Sequence, residues 1–127
     1  MHLKPLSPPA IYPTGGDYLH GLEVSHFNRL VYVAGTMGLD PQGHPGADLD
    51  AQLHLVWDNI AAILAQAGMT TDNIVRVTSY LTDRDQVLAN QNARLKALNG
   101  RAVPTTAIVV TTLTDDWLIE IEVIAAG

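Results

Sequence analysis

Over residues 117–126 the chain alternates with a period of two, and no other feature of the sequence restricts the fold as tightly. Successive side chains of a β-strand point to opposite faces. Ile119, Ile121 and Val123 therefore face one way, while Leu118, Glu120, Glu122 and Ile124 face the other. The first face suits a core. The second mixes carboxylates with apolar side chains, too apolar for bulk water and too polar for an interior, and reads as a face that meets another subunit.

The remaining elements follow from spacing and residue type. Residues 30–34 (Leu-Val-Tyr-Val-Ala) are β-branched and aromatic-rich and close at Gly35, the pattern of a buried strand. Residues 19–24 read as a further strand and 40–46 as a turn-rich loop. Residues 1–16, with Pro5, Pro8, Pro9, Pro13 and the pair Gly15-Gly16, read as an extended lead-in with room for one extra strand. Leu49, Leu53, Val56, Trp57, Ile60, Ile63, Leu64 and Ala67 recur at three- and four-residue steps and predict a helix with one apolar stripe, Trp57 in the core. Asp48 is its expected N-cap and Gly68 its expected C-terminal stop. Residues 74–81 are strand-like. Asp83 and Gln86 have capping-box spacing before a second helix that runs to about Leu98, with Val87, Leu88, Leu95 and Leu98 as its apolar side. After Pro104, residues 105–113 are rich in Thr, Val and Ile, and a turn at 114–116 predicts a hairpin with 117–126. The order β-β-α-β-α-β-β, in one domain over residues 1–127, predicts the α/β (α+β) class: one mixed sheet with both helices on one face.

Composition removes several functions. The absence of cysteine excludes disulfides, thiolate metal sites and a cysteine nucleophile, and suits a cytoplasmic protein. No apolar run has membrane-spanning length, and the proline-rich start is unlike a secretory leader, so no membrane partner is expected. Thirteen acidic against seven basic side chains leave a net charge of −6. The bases Lys4, Arg29, Arg76, Arg84, Arg94, Lys96 and Arg101 are scattered, which argues against a nucleic-acid partner. The five histidines lack metal-ligand spacing, so no metal is expected. None of the three serines sits in a nucleophile elbow, and no glycine-rich phosphate loop occurs.

Chemistry points to the C-terminal strand. Glu120 and Glu122 project to one face about 7 Å apart. Partial burial of that face would raise at least one of their pKa values, leaving a carboxylate able to hold or deprotonate a water. The same spacing also suits the solvated face of an edge hairpin. Tyr18, after Gly15-Gly16, places a phenol at the start of the sheet or in the core. Asn90, Gln91 and Asn92 form a polar triplet in the second helix that either reaches a ligand or faces solvent.

Tyr18 and Gly21, the segment LVYVAGTMGLDPQG around Gly35, the block DLDAQLHLVWDNIAAILAQAGMTTDNIVRVTSYLTD, the Pro104-led strand and the ending WLIEIEVIAAG occur in the order of one family across nearly the whole chain. The sequence resembles the RidA/YjgF family of small imine/enamine deaminases. The resemblance implies a chorismate-mutase-like fold and a homotrimer whose strands line a central β-barrel, with small-molecule clefts at the subunit interfaces. It further implies cofactor-free hydrolysis of reactive enamines and imines, such as those derived from 2-aminoacrylate, to carbonyl compound and ammonia. Glu120 matches the glutamate that positions the water and Tyr18 the cleft tyrosine. Gly35 lies within the matched segment, and the cleft amide falls at Gln91, or at Asn92 after a one-residue shift.

One departure bears on the substrate. The family pattern P-x-R-[ST] carries an arginine for the substrate carboxylate, whereas this chain reads Pro104-Thr105-Thr106-Ala107. A bidentate arginine–carboxylate contact contributes roughly 1.5–3 kcal/mol, so its loss weakens anchoring about tenfold to a hundredfold. Thr105 and Thr106 are the expected substrate-binding residues in its place, with Arg94 and Arg101 as candidates to restore the charge. The expectation is an imine hydrolase whose substrate differs from 2-aminoacrylate-derived imines. The alternative is a non-enzymatic small-molecule-binding or regulatory trimer of the same fold.

Overall fold

The computed structural model describes residues 1–127. Its strands are β1 (His2–Leu6), β2 (Gly21–Ser25), β3 (Leu30–Met37), β4 (Ile74–Leu81), β5 (Thr105–Val109) and β6 (Ile119–Ala126). Its helices are α1 (Leu49–Gln66) and α2 (Val87–Ala97), with 3-10 turns at Thr71–Asn73 and Arg84–Gln86. Strands β3-β6-β4-β5 form a four-stranded sheet in that order, with β6 antiparallel to both neighbours and β4 parallel to β5. The class is the mixed α and β one that the sequence predicts.

Two expectations about pairing are corrected. β5 and β6 do not form a hairpin, because β4 lies between them. The cause is α2: it makes β4-α2-β5 a crossover unit, whose two strands run parallel. β5 is also shorter than the Thr-rich run 105–113, since the ladder closes with Val110 N donating to the Leu81 carbonyl at 2.7 Å. Secondly, the strands form two sheets rather than one. β1, inside the proline-rich lead-in, pairs antiparallel with β2, and together they stand apart as a two-stranded sheet.

The period-two reading of the last strand holds. Ile119, Ile121 and Val123 are buried while Glu120, Glu122 and Ile124 are half-buried on the opposite face. One core joins Val56, Ile60 and Leu64 of α1 to Ile74 and Val77 of β4 and to the buried side of β6. Trp57 belongs to it. No helix is long and apolar enough to cross a membrane.

The caps of α1 are as read. Asp48 Oδ1 accepts the Ala51 amide at 2.9 Å, and Gly68, at φ +68°, lets the Gly68 and Met69 amides turn back onto the Ala65 and Leu64 carbonyls. Asp48→Ala removes an N-cap acceptor and is expected to destabilise the fold by about 1 kcal/mol, read as a fall of roughly 3–6 °C in Tm for a domain of this size. The Asp83/Gln86 capping box also forms, on the 3-10 turn that leads into α2.

The apolar side assigned to α2 is corrected. Val87 and Leu88 are exposed, and the buried residues of the helix are Asn90 and Arg94, in line with Gln86 before it and Leu98 after it. A polar helix face turns inward here because Arg94 has a partner: its guanidinium donates to the Asp17 carboxylate at 2.9 Å and to the Asp17 carbonyl at 2.8 Å.

Candidate functional site

The face of the four-stranded sheet turned away from the helices carries the chemistry. Residues directly opposite on paired strands share a face. The register sets Tyr80 opposite Glu120, Thr78 opposite Glu122 and Arg76 opposite Ile124, while Thr106 of β5 stands beside Thr78. Arg76, Thr78 and Tyr80 alternate with buried Val75, Val77 and Ser79, so β4 presents a polar row along this face just as β6 presents its two glutamates.

The two glutamates have different surroundings. The Tyr80 hydroxyl donates a short hydrogen bond to Glu122 Oε1. That bond, then desolvation, then the charges of Glu122 and Glu120 push the Tyr80 phenol above its ordinary pKa, with Arg76 acting in the opposite sense. Tyr80 therefore keeps its proton at neutral pH and ties down Glu122. The Glu120 carboxylate has no hydrogen-bond partner in the chain. It lines a hollow of about 240 Å³ with Gly35, Tyr80, Glu122 and the segment 110–113.

Gly35 makes room for it. The register of β3 against β6 shifts between Val33 and Thr36, and a Cβ built on Gly35 would lie 2.2 Å from Glu120 Oε2. No side chain larger than hydrogen leaves the carboxylate where it stands. Glu120 and Gly35, two residues singled out from the sequence, are thus brought into contact, and Thr106 shares their face.

The other expected site residues lie apart within one chain. Thr105 is in register with buried Val77 on the core side of β5, and its hydroxyl donates to the Val103 carbonyl at 2.9 Å. Tyr18 is half-buried beside the start of β5: Leu19 N donates to the Val103 carbonyl at 3.2 Å, and Asp17 holds Arg94. Gln91 is half-buried on α2. Asn92 is exposed in a groove of about 580 Å³ between α1 and α2, on the far side of the sheet from Glu120. Neither proposed substitute arginine reaches the glutamate face. Arg94 is bound to Asp17, and Arg101 donates to the Thr71 and Ile74 carbonyls.

The residue that the sequence reading passed over is Arg76. Its Nη2 donates to Thr106 Oγ1 at 3.0 Å. It also lines a second hollow of about 420 Å³ with Tyr32, Ala34, Thr78 and Glu122. The signal was available, since Arg76, Thr78 and Tyr80 fall at i, i+2 and i+4 of a strand whose intervening positions are mostly apolar.

Residues 11–127 match the family model described as endoribonuclease L-PSP. Across 100% of both chains the fold resembles that of a Yersinia pestis member of the conserved Rid protein family, with a TM-score of 0.85 and 25% sequence identity. The chain belongs to the RidA/YjgF family. A RutC family protein of Pyrococcus abyssi is 34% identical over 113 residues, 87% of this chain and 86% of the relative. The Escherichia coli (strain K12) protein named 2-iminobutanoate/2-iminopropanoate deaminase is 30% identical over 115 residues, 87% of each chain. Imine deamination is thus an activity named within the family.

Proposed function

We propose that this Rid protein hydrolyses small reactive imines to a carbonyl compound and ammonia, with Glu120 positioning and deprotonating the attacking water. The observation that carries the reading is the division of labour on β6: Glu122 is held by Tyr80, while Glu120 stands without a partner in a hollow that Gly35 keeps open. Glu120 takes a proton from water as the oxygen attacks the imine carbon and the C=N π pair moves to nitrogen. Glu120 returns that proton to the nitrogen, which then takes the proton of the hydroxyl as the C–N bond breaks, leaving as ammonia with the bonding pair while the oxygen becomes the carbonyl. No step calls for a cofactor.

The chain's exposed apolar side chains favour a homotrimer in which the clefts lie between subunits. Tyr32 is 72% and Leu113 93% exposed on or beside the glutamate face. In such an assembly Tyr18, Thr105 and either Gln91 or Asn92 of one subunit are the candidates to complete the substrate site of another. At position 106 the substrate meets a threonine, one neutral hydrogen-bonding group, so its far end is not held by an arginine on β5. The family model's ribonuclease description fits this chain less well, because a net charge of −6 with dispersed bases opposes a polyanionic substrate.

The test is ammonia release from a panel of small imines generated in situ, with and without the purified protein. Catalysed release above the spontaneous rate is expected. Equal rates would refute the reading, and ligand-dependent thermal stabilisation without turnover would point instead to a binding protein of the same fold.

A further inference from the structure

Seven Lys and Arg side chains are available to meet an anion, and six of them are placed elsewhere. Lys4 is on β1 in the separate two-stranded sheet, and Arg84 begins the 3-10 turn before α2. Lys96 lines the groove between the helices. Arg29 donates to the Ala67 carbonyl, Arg94 is bound to Asp17, and Arg101 donates to two carbonyls. Only Arg76 stands on the glutamate face.

Its surroundings are unusual for a half-buried guanidinium. Arg76 takes part in none of the three ion pairs of the molecule, and its one hydrogen-bond partner is the neutral Thr106 hydroxyl. A guanidinium has five N–H donors in a planar fork shaped for a carboxylate. One threonine leaves most of that fork free, and the carboxylate that lines its hollow, Glu122, is held by Tyr80 and makes no ion pair with it. Thr106 steers the fork rather than neutralising it.

We propose that Arg76 is the anion anchor of the site, taking the carboxylate of a 2-imino acid from β4 while Glu120 attends to the imine carbon. This rests on the imine-hydrolase reading above and narrows it. Lateral strand spacing and rise put the backbones of Thr106 and Glu120 about 12 Å apart. That gap suits a three- or four-carbon substrate with its bound water once both long side chains reach inward. The hollows of Arg76 and Glu120 share one wall, Glu122, whose carboxylate Tyr80 already holds. The charge absent from β5 is in this way supplied by the neighbouring strand, and Thr106 by itself does not exclude carboxylate-bearing imines.

The experiment compares 2-iminopropanoate, generated in situ, with a carboxylate-free imine of similar size. It uses the wild type, Arg76→Gln, Arg76→Lys and the double variant Arg76→Gln/Thr106→Arg. Arg76→Gln is expected to reduce the preference for the carboxylate-bearing imine tenfold to a hundredfold, chiefly through KM, and Arg76→Lys to retain part of it. An arginine at 106 in the double variant is expected to restore the preference. The preference surviving in Arg76→Gln, with circular dichroism showing the fold intact, would overturn the proposal while leaving imine hydrolysis standing. Should the wild type turn over neither imine, the hydrolase reading fails, and titration with pyruvate decides on Arg76. Binding lost in Arg76→Gln and regained in the double variant supports the anchor, whereas equal binding, or none to the wild type, refutes it.

Discussion

Replacing Glu120 by glutamine lowers kcat for imine hydrolysis by about a hundredfold to ten-thousandfold, the range that a positioned general base contributes. Glutamine keeps the size of the side chain and its ability to hold a water, but it cannot accept a proton. The loss therefore falls on the transition state, with kcat and kcat/KM declining together. Stability should stay within about 0.5 kcal/mol, since the carboxylate gives up no hydrogen bond within the chain. Glu122→Gln is the internal comparison: it disturbs the Tyr80 contact but spares the free carboxylate, so its effect on kcat should be the smaller. A rate within threefold of wild type in Glu120→Gln would remove Glu120 as the base.

Much of this site could be read from local pattern, because local pattern is what fixed it. Period-two alternation assigned Glu120 and Glu122 to one face, and spacing alone located the α1 stripe, the Asp48 cap, the Gly68 stop and the Asp83/Gln86 box. What escaped depends on partners distant in sequence. The Thr-, Val- and Ile-rich run after Pro104 is good strand material, but nothing in it says whether it pairs with the strand that follows or, through a crossover, with β4. The inward face of α2 escaped for the same reason: burying Asn90 and Arg94 rather than Val87 and Leu88 makes sense only once Asp17, 77 residues away from Arg94, is known to wait for the guanidinium. Arg76 was legible as part of a row with Thr78 and Tyr80. Counted as one of seven dispersed charges, it kept no address until the register of β4 against β5, with Thr78 beside Thr106, brought the Thr106 hydroxyl within reach of its guanidinium.

Gly35→Ala is expected to cost activity and spare stability, and Gly38→Ala, three residues on, to do the reverse. Neither glycine is held by a positive φ, so the argument in both cases is space. At Gly35 the added methyl would lie 2.2 Å from Glu120 Oε2, 3.0 Å from its Cδ and 3.2 Å from its Cγ. All three atoms belong to a flexible side chain, which can swing away at little energetic expense. The carboxylate then leaves the position from which it would aim a water, and a displacement of about 1 Å is enough to lower kcat roughly a hundredfold. At Gly38 the methyl would meet the backbone of Gln52, with its carbonyl oxygen at 2.3 Å and its Cα at 2.5 Å. The first turn of α1 cannot swing aside, so overpacking there should destabilise the fold by about 1–3 kcal/mol or more. Thermal melts and imine turnover measured on both variants separate the two effects. A Gly35→Ala protein that melts early yet turns over normally would mean that Glu120 does its work from some other position, or does none.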